Sequence, residues 1–301
     1  MSENGKTMVL ASLAGDSLAL GVHWIYDTRI IRTQFGRVDD FIKPAANSYH
    51  PTKGRGEFTH LGDQSFLLLE SLVSANGFDL GDFSDRWREL FTDYQGYIDK
   101  ATRSTLEGYA EGRLALEAGS DSEELAGASR IAPLVYFYRD DLEGLIEASR
   151  LQAIITHNSQ NVADASEFFG RVCYHVLEGA GPVEAIQKVT AEDFNKPPIS
   201  DWVSAGLESR DKDSVETIYE FGQHCGTEAA FPSVIHLVAK YENDLEEGLI
   251  QCVMAGGDNA SRALAVGMIL GAHLGPAALP DRWLSKLKQK NRILELLEQG
   301  V

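Results

Sequence analysis

The segment from Gln251 to Gly275 constrains the fold more than any other part of the chain. It runs apolar, breaks at Gly256-Gly257, and resumes as a helix of small and apolar residues predicted over 259–274. A helix this apolar cannot lie on a surface and has to be enclosed by other elements. The paired glycines give a backbone turn that most residues cannot make. They deliver Asp258, Asn259 and Ser261 together to the mouth of a buried helix, a place that can hold a cation or a polar ligand. An Asp or Asn there is equally a good N-cap, its side chain accepting a backbone N–H of the first turn. On this segment alone both readings stand.

The rest of the chain offers helices to do the enclosing. Met8 to Leu20 is rich in Ala, Leu, Val and Met and reads as another buried helix; Asp16 within it is costly unless paired, hydrogen-bonded or metal-bound. The stretch from Asp63 to Val73 opens a further helix, with Asp63, Gln64 and Ser65 in the first turn and an apolar face behind them. More helices are predicted at about 83–98, 101–118, 122–138, 141–155, 161–178, 182–191, 202–208, 213–221, 232–240, 244–254 and 280–298. Pro182 and Pro232 sit where a first helical turn tolerates proline. Residues 43–60, with Pro44, Pro51, Gly54 and Gly56, read as a long loop; loops beyond about 12–15 residues in compact domains are usually functional or disordered. No alternating strands, fixed-period repeat or low-complexity block is evident. The expected fold is all-α, a single domain over 1–301.

Charge narrows the function classes. With 45 acidic against 27 basic side chains, the 301-residue chain carries a formal charge of −18. That argues against nucleic acid or an anionic membrane as partner, because both need basic patches. Cys173, Cys225 and Cys252 are odd in number and widely spaced, the pattern of reduced thiols in a cytosolic protein. Met1 to Lys6 has no signal-peptide architecture, and the apolar run from Met8 to Leu20 contains Asp16 and falls short of the roughly 18 residues of a membrane span. The expected location is the cytoplasm.

Four polar clusters stand at helix ends or breaks: Gly15-Asp16 with His23, Trp24 and Asp27; His60-Leu-Gly-Asp-Gln-Ser65; Thr156-His157-Asn158; and Gly256-Gly-Asp-Asn-Ala-Ser261. Singly, each has an ordinary explanation, with Asp63 and Asp258 as caps and His157 as a satisfied structural histidine. Jointly, they are carboxylates and hydroxyls at the ends of helices, and helix bundles build metal sites from such groups when they converge in the interior. Hard oxygen donors suit Mg²⁺ or Mn²⁺, and the cysteines are not placed as zinc ligands. No P-loop, H-E-x-x-H helix or G-x-S-x-G elbow is present. Asp79-Leu-Gly-Asp-Phe-Ser-Asp85 lacks the glycine and the glutamate of a calcium loop.

In this order the clusters resemble the ADP-ribosylglycohydrolase family, which includes dinitrogenase-reductase-activating glycohydrolases and jellyfish J1-type lens crystallins. The resemblance spans about Met8 to Gly275. Ala255-Gly-Gly-Asp-Asn-Ala-Ser261 and the trailing Gly267 to Gly275 carry it, supported by Ala14-Gly-Asp-Ser-Leu18, Gly127-Ala-Ser-Arg-Ile-Ala-Pro-Leu134, Thr156-His157 and Phe231-Pro232. It implies an orthogonal multi-helix bundle with two Mg²⁺ ions in a central cleft. It also implies cleavage of the bond between ADP-ribose and an acceptor such as arginine or serine. In the family, a Thr-Asp-Asp segment opening one helix and a late Gly-Gly-Asp-Thr-Asp-Thr segment supply the metal ligands.

The departures from that pattern are specific. Gly62 and Gln64 stand where the family has threonine and the second aspartate, while Asn259 and Ala260 replace the threonine and aspartate that follow Asp258. Mg²⁺ holds poorly without anionic ligands. One ion held by Asp63, Asp258 and Ser261 with waters is therefore expected in place of two, with a site that has lost its metal as the alternative. The family's early glutamate has no clear counterpart. The resemblance thus implies a hydrolase of an ADP-ribosyl or related ribosyl bond, acting on an ADP-ribosylated protein or a small-molecule ADP-ribose conjugate. Asp63, Asp258 and His157 are its catalytic candidates, and Asp16, His23, Trp24, Gln64, Thr156, His157, Gly257 and Asn259 its substrate contacts. One alternative is a degenerate member that binds ADP-ribose or a nucleotide without cleaving it. There the helix N-termini at 63 and 258 would receive the pyrophosphate, with Trp24 or Tyr26 against the adenine. The other is a crystallin-like structural protein.

Overall fold

In the computed structural model, which describes residues 3–300, the central element is the helix Asn259–Leu274, buried at every residue from Asn259 to Ala272. Its main partner is the helix Glu3–Ala19, buried from Thr7 onward. Small residues let the two backbones touch. A Cβ on Gly267 would lie 2.4 Å from the Ala11 carbonyl oxygen, and one on Gly15 2.6 Å from that of Ala263. Ser12 donates to the Leu264 carbonyl at 2.9 Å. The composition that keeps 259–274 off any surface is also what permits this close crossing.

His60–Ala75, Ala132–Phe137, Gln160–Leu177, Thr227–Lys240 and Leu245–Met254 pack around that pair and around one another. One apolar cluster joins them from Met8 to Leu297. Many of the outer helices are opened by aspartates. Asp79, Asp99, Asp141, Asp213 and Asp244 each accept the backbone N–H three residues ahead, filling an orphan donor and setting negative charge at the positive end of the helix dipole.

The all-α expectation holds: among the described residues there is no strand, only isolated bridges between Ser120 and His157 and between Glu124 and Gly226. No described helix is long and apolar enough to cross a membrane, and Cys173, Cys225 and Cys252 are free. Some boundaries differ from the periodicity. The predicted 101–118 helix is Lys100–Ala110 and Ala115–Ala118, broken at Gly112 with φ +86°. The predicted 122–138 helix divides into Ala126–Ser129 and Ala132–Phe137, and 280–298 into Asp281–Leu284 and Lys290–Gln299. Pro232 lies inside Thr227–Lys240 and not in its first turn. Next to the N–H the proline lacks, the Ser233 hydroxyl donates back to the Ala229 carbonyl at 2.7 Å.

Residues 36–59 have only turns and bends, close to the loop read from the sequence. Packing ties them down. Phe41 and Phe58 are buried, the Trp283 indole donates to the Asp39 carbonyl at 2.8 Å, and the Lys288 N–H donates to the Gly56 carbonyl at 2.9 Å. The loop thereby carries Tyr49, His50 and Lys53 to the start of the 60–75 helix.

Candidate functional site

The site grows from the double glycine. Gly256 and Gly257 both lie at positive φ, +68° and +62°. A Cβ on either would come within 2.4 Å of a carbonyl oxygen, that of Ile25 or of Gln223. In that tight turn the Gly257 N–H donates to Ile25 O and its carbonyl accepts the Trp24 N–H, each at 2.9 Å. The Asp258 N–H reaches Gln223 O at the same distance. The turn thus binds the 23–27 segment to the mouth of the 259–274 helix. It also holds Trp24 at φ +63°, a left-handed backbone that a large side chain rarely adopts.

Asp258 occupies the cap position without capping. Its Oδ2 accepts the Ser261 hydroxyl at 2.5 Å, no side-chain cap bond forms, and its Oδ1 is buried with no hydrogen-bond partner. Facing it at 3.8 Å is His23 Nε2, also buried and unpartnered. Asn259 decides the tautomer of His23. Its Nδ2 donates to Val253 O at 3.2 Å, which turns its Oδ1 to His23 Nδ1 at 3.1 Å. The proton therefore sits on Nδ1 and leaves Nε2 as an acceptor. Burial, reinforced by the neighbouring His60, pushes His23 down to about 3, so the ring is neutral. Two buried acceptors face each other and call for a donor between them, such as a water or a ligand hydroxyl.

Around the start of the 60–75 helix the carboxylates are already paired. Thr59 is the cap, so Asp63 lies a turn inside the helix and the cap reading of it fails. Asp16 is fully buried and accepts both the Thr59 N–H at 2.8 Å and its hydroxyl at 2.5 Å. Burial outweighs those bonds and pushes its carboxyl up to about 7. His60 Nε2 lies 2.9 Å from Asp99. Burial opposes a charge on His60, but the hydrogen bond and charge of Asp99 outweigh it, so the imidazole is shifted upward and Asp99 downward. Asp63 Oδ2 takes both the Lys53 ammonium and the Tyr94 hydroxyl, each at 2.5 Å.

A buried chain of hydrogen bonds links two further clusters. Gln64 accepts from Trp87 Nε1 at 2.8 Å and from Arg130 Nη1 at 2.7 Å, and donates to the His60 carbonyl. Arg130 Nη2 donates to the Thr156 hydroxyl at 2.6 Å, which passes its own proton to His157 Nδ1 at 2.8 Å. His157 therefore carries its proton on Nε2. Burial first, then Arg130, hold it down to about 3, and Nε2 lies 4.0 Å from Glu124. Burial first, then the charges of Asp99 and Asp258, push Glu124 up to about 7. A carboxyl that keeps its proton to neutral pH is equipped to act as a general acid.

Trp24 stands at the centre of a ring cluster. Its centroid lies 4.2 Å from that of His23, 5.0 Å from those of Tyr49 and Tyr97, and 5.4 Å from that of His60. His50 packs against it with both ring nitrogens unpartnered, and burial holds it neutral. Tyr26 and Tyr49 are exposed at the rim. Cys225 lies beside Trp24 and Asp258, but burial and the charges of Asp258 and Glu124 push its thiol upward, away from nucleophilic use.

The structure thus brings His23, Trp24, Gly257, Asp258, Asn259 and Ser261 together, and sets His157 near Glu124. Gln64 and Thr156 are absorbed into the Arg130 network, which runs counter to their reading as substrate contacts. The Mg²⁺ set does not fit. Asp63 already holds an ammonium, and the Ser261 hydroxyl already donates to Asp258. Among the described residues no group of three or more His, Cys, Asp or Glu side chains is placed to hold a metal. Glu124, His50, Asp99, Lys53 and Tyr97 were missed in the sequence. None belongs to a motif, and only the position of His50 and Lys53 in the 43–60 loop hinted at them.

The model of the family described as ADP-ribosylglycohydrolase matches residues 3–300. Crystallin J1A of Tripedalia cystophora is 26% identical over 99% of this chain and 96% of its own length. ADP-ribosylarginine hydrolase Tri1 of Serratia proteamaculans is 26% identical over 81% of this chain and 67% of its own length. A solved ADP-ribosylglycohydrolase-related protein complex shares the fold, with a TM-score of 0.78 at 24% identity over 99% of this chain and 96% of that one. With the family model matched from end to end of the described residues, the chain belongs to the ADP-ribosylglycohydrolase family.

Proposed function

We propose that this protein hydrolyses a ribosyl bond of an ADP-ribose conjugate, on a protein or a small molecule, with carboxylates and histidines alone. The carrying observation is the facing pair of buried acceptors, Asp258 Oδ1 and His23 Nε2. A water seated between them gives a proton to one of the pair as its oxygen bonds to the anomeric carbon. The bond from that carbon to the acceptor nitrogen or oxygen breaks, and Glu124 returns a proton to the leaving atom. A pair of carboxyl groups, one acting as base and the other as acid, is the usual means of cutting a glycosidic bond. Family membership and the likeness to an ADP-ribosylarginine hydrolase support the substrate class. Because the groups around Asp63 do not fit Mg²⁺, no step runs through a metal.

Release of ADP-ribose from ADP-ribosylarginine and from an O-linked conjugate, in excess chelator, tests the reading. Asp258→Asn and Glu124→Gln are expected to lose about 10²–10⁴-fold, the usual worth of a general acid or base. The wild-type rate should fall as pH rises through about 7, where Glu124 gives up its proton; Glu124→Gln should lack that limb. Hydrolysis indifferent to Asp258→Asn would refute the assignment. The Trp24 ring cluster packed over the buried acceptors and the whole-length likeness to a crystallin favour a second reading, a protein that does not turn over. ADP-ribose binding without product would make it a reader, and neither binding nor product would make it structural.

A further inference from the structure

The carboxylate that opens the 60–75 helix is where the family resemblance implies a divalent ion, yet this chain sets a side chain of its own there. Lys53 Nζ and the Tyr94 hydroxyl both lie 2.5 Å from Asp63 Oδ2, and the ammonium stands 5.3 Å from the centre of the Tyr94 ring. Only 15% of the Lys53 side chain and 20% of the Asp63 side chain are exposed. At such burial, removing one partner leaves the other as an uncompensated charge. Lys53 is delivered by a turn in which its N–H donates to the His50 carbonyl at 3.1 Å, and Thr52 anchors the turn to the Gln95 carbonyl at 2.7 Å.

Two neighbouring substitutions agree with this arrangement. A Cβ at Gly62 would lie 2.3 Å from Asp16 Oδ2, so the threonine expected at this position has no room while Asp16 is where it is. Gln64, in place of the second aspartate, is neutral and bound inward to Trp87 and Arg130. With the second aspartate gone, one ammonium balances the lone Asp63, whereas a dication would be left under-neutralised.

We propose that Lys53 is a tethered cation that replaces a divalent metal at Asp63, so that the wild-type site takes up no Mg²⁺ or Mn²⁺. The inference does not rest on turnover, and its test reads metal occupancy.

Melting temperatures of the wild type, Lys53→Met and Lys53→Met/Asp63→Asn would be compared in chelator and in millimolar Mg²⁺ or Mn²⁺. The wild type is expected to melt at the same temperature in all three. Lys53→Met should melt lower in chelator and regain a few degrees with metal, as ligand linkage requires, and the double variant should lose that response. A wild-type rise with metal that Asp63→Asn removes would overturn the proposal, and so would a folded Lys53→Met with no response. Should Lys53→Met fail to fold, uptake of Mn²⁺ by the wild type and by Asp63→Asn, read from the free-ion paramagnetic signal, decides it. Equal uptake supports the proposal, and uptake by the wild type alone overturns it.

Discussion

At the scale of single residues, burial decides which chemical character each polar group shows. Asp16 and Asp258 are both buried carboxylates at helix ends, yet Asp16 has both oxygens occupied by Thr59 while Asp258 keeps one free. Asp16 has a consequence for stability. Its carboxyl is held at about 7 in the folded chain against an ordinary 3.8. Between those values the folded state keeps a proton that the unfolded chain has released, so stability falls as pH rises, by about 1.4 kcal/mol per unit. Asp16→Asn removes this slope. Its stability relative to wild type should climb by up to about 4 kcal/mol between pH 4 and 7 and stay level above that. Urea unfolding across that range checks it; parallel pH curves would show that Asp16 does not hold its proton. The residue types at Asp16 and Asp258 were legible in the sequence. Which oxygen stays free was not, because Thr59, Ser261 and Asn259 decide that through contacts made only after folding.

Among the elements, the crossing of the first helix with the 259–274 helix depends on absent side chains. Gly267→Ala would place a methyl 2.4 Å from a backbone oxygen that no rotamer change can move. Overpacking of that kind costs about 1–3 kcal/mol, more than the roughly 1 kcal/mol that alanine gains over glycine in a helix. A net loss of stability is expected on chemical denaturation. Gly81→Ala, on an exposed helix where the nearest atom is the exposed Asp79 cap oxygen at 3.2 Å and no backbone blocks the methyl, should be near neutral or stabilising. Equal effects at the two sites would refute the close crossing. The 259–274 helix was readable to the residue because composition and flanking glycines agreed on its ends. The periodic stretches at 101–118, 122–138 and 280–298 were each read as one helix, since periodicity records an apolar face and not the turn that divides it. Propensity favours Pro232 in a first turn, and tertiary packing overrides that.

For the whole molecule, the site is assembled from segments far apart in the chain, and the C-terminal region is part of its support. Trp283 is fully buried, its ring stacks 6.4 Å from Phe41, and it holds the Asp39 carbonyl. Trp283→Ala should cost about 3–5 kcal/mol. It should also speed hydrogen exchange in residues 36–59 ahead of the rest of the chain and weaken ligand binding, since that loop carries Tyr49, His50 and Lys53. Uniform loss of protection would show that the loop is not held from this end. The sequence by itself determined the all-α class, the buried central helix and the polar turn at 256–261, because those rest on composition and local spacing; the family rests on the resemblance of its motifs. Only the tertiary structure decided that Lys53 sits on Asp63, that Gln64 turns inward to Arg130, that Glu124 lies near His157, and that His60 meets Asp99 and the Trp24 ring. Those outcomes depend on desolvation and on charges brought together from distant segments, and one-dimensional spacing carries no record of either.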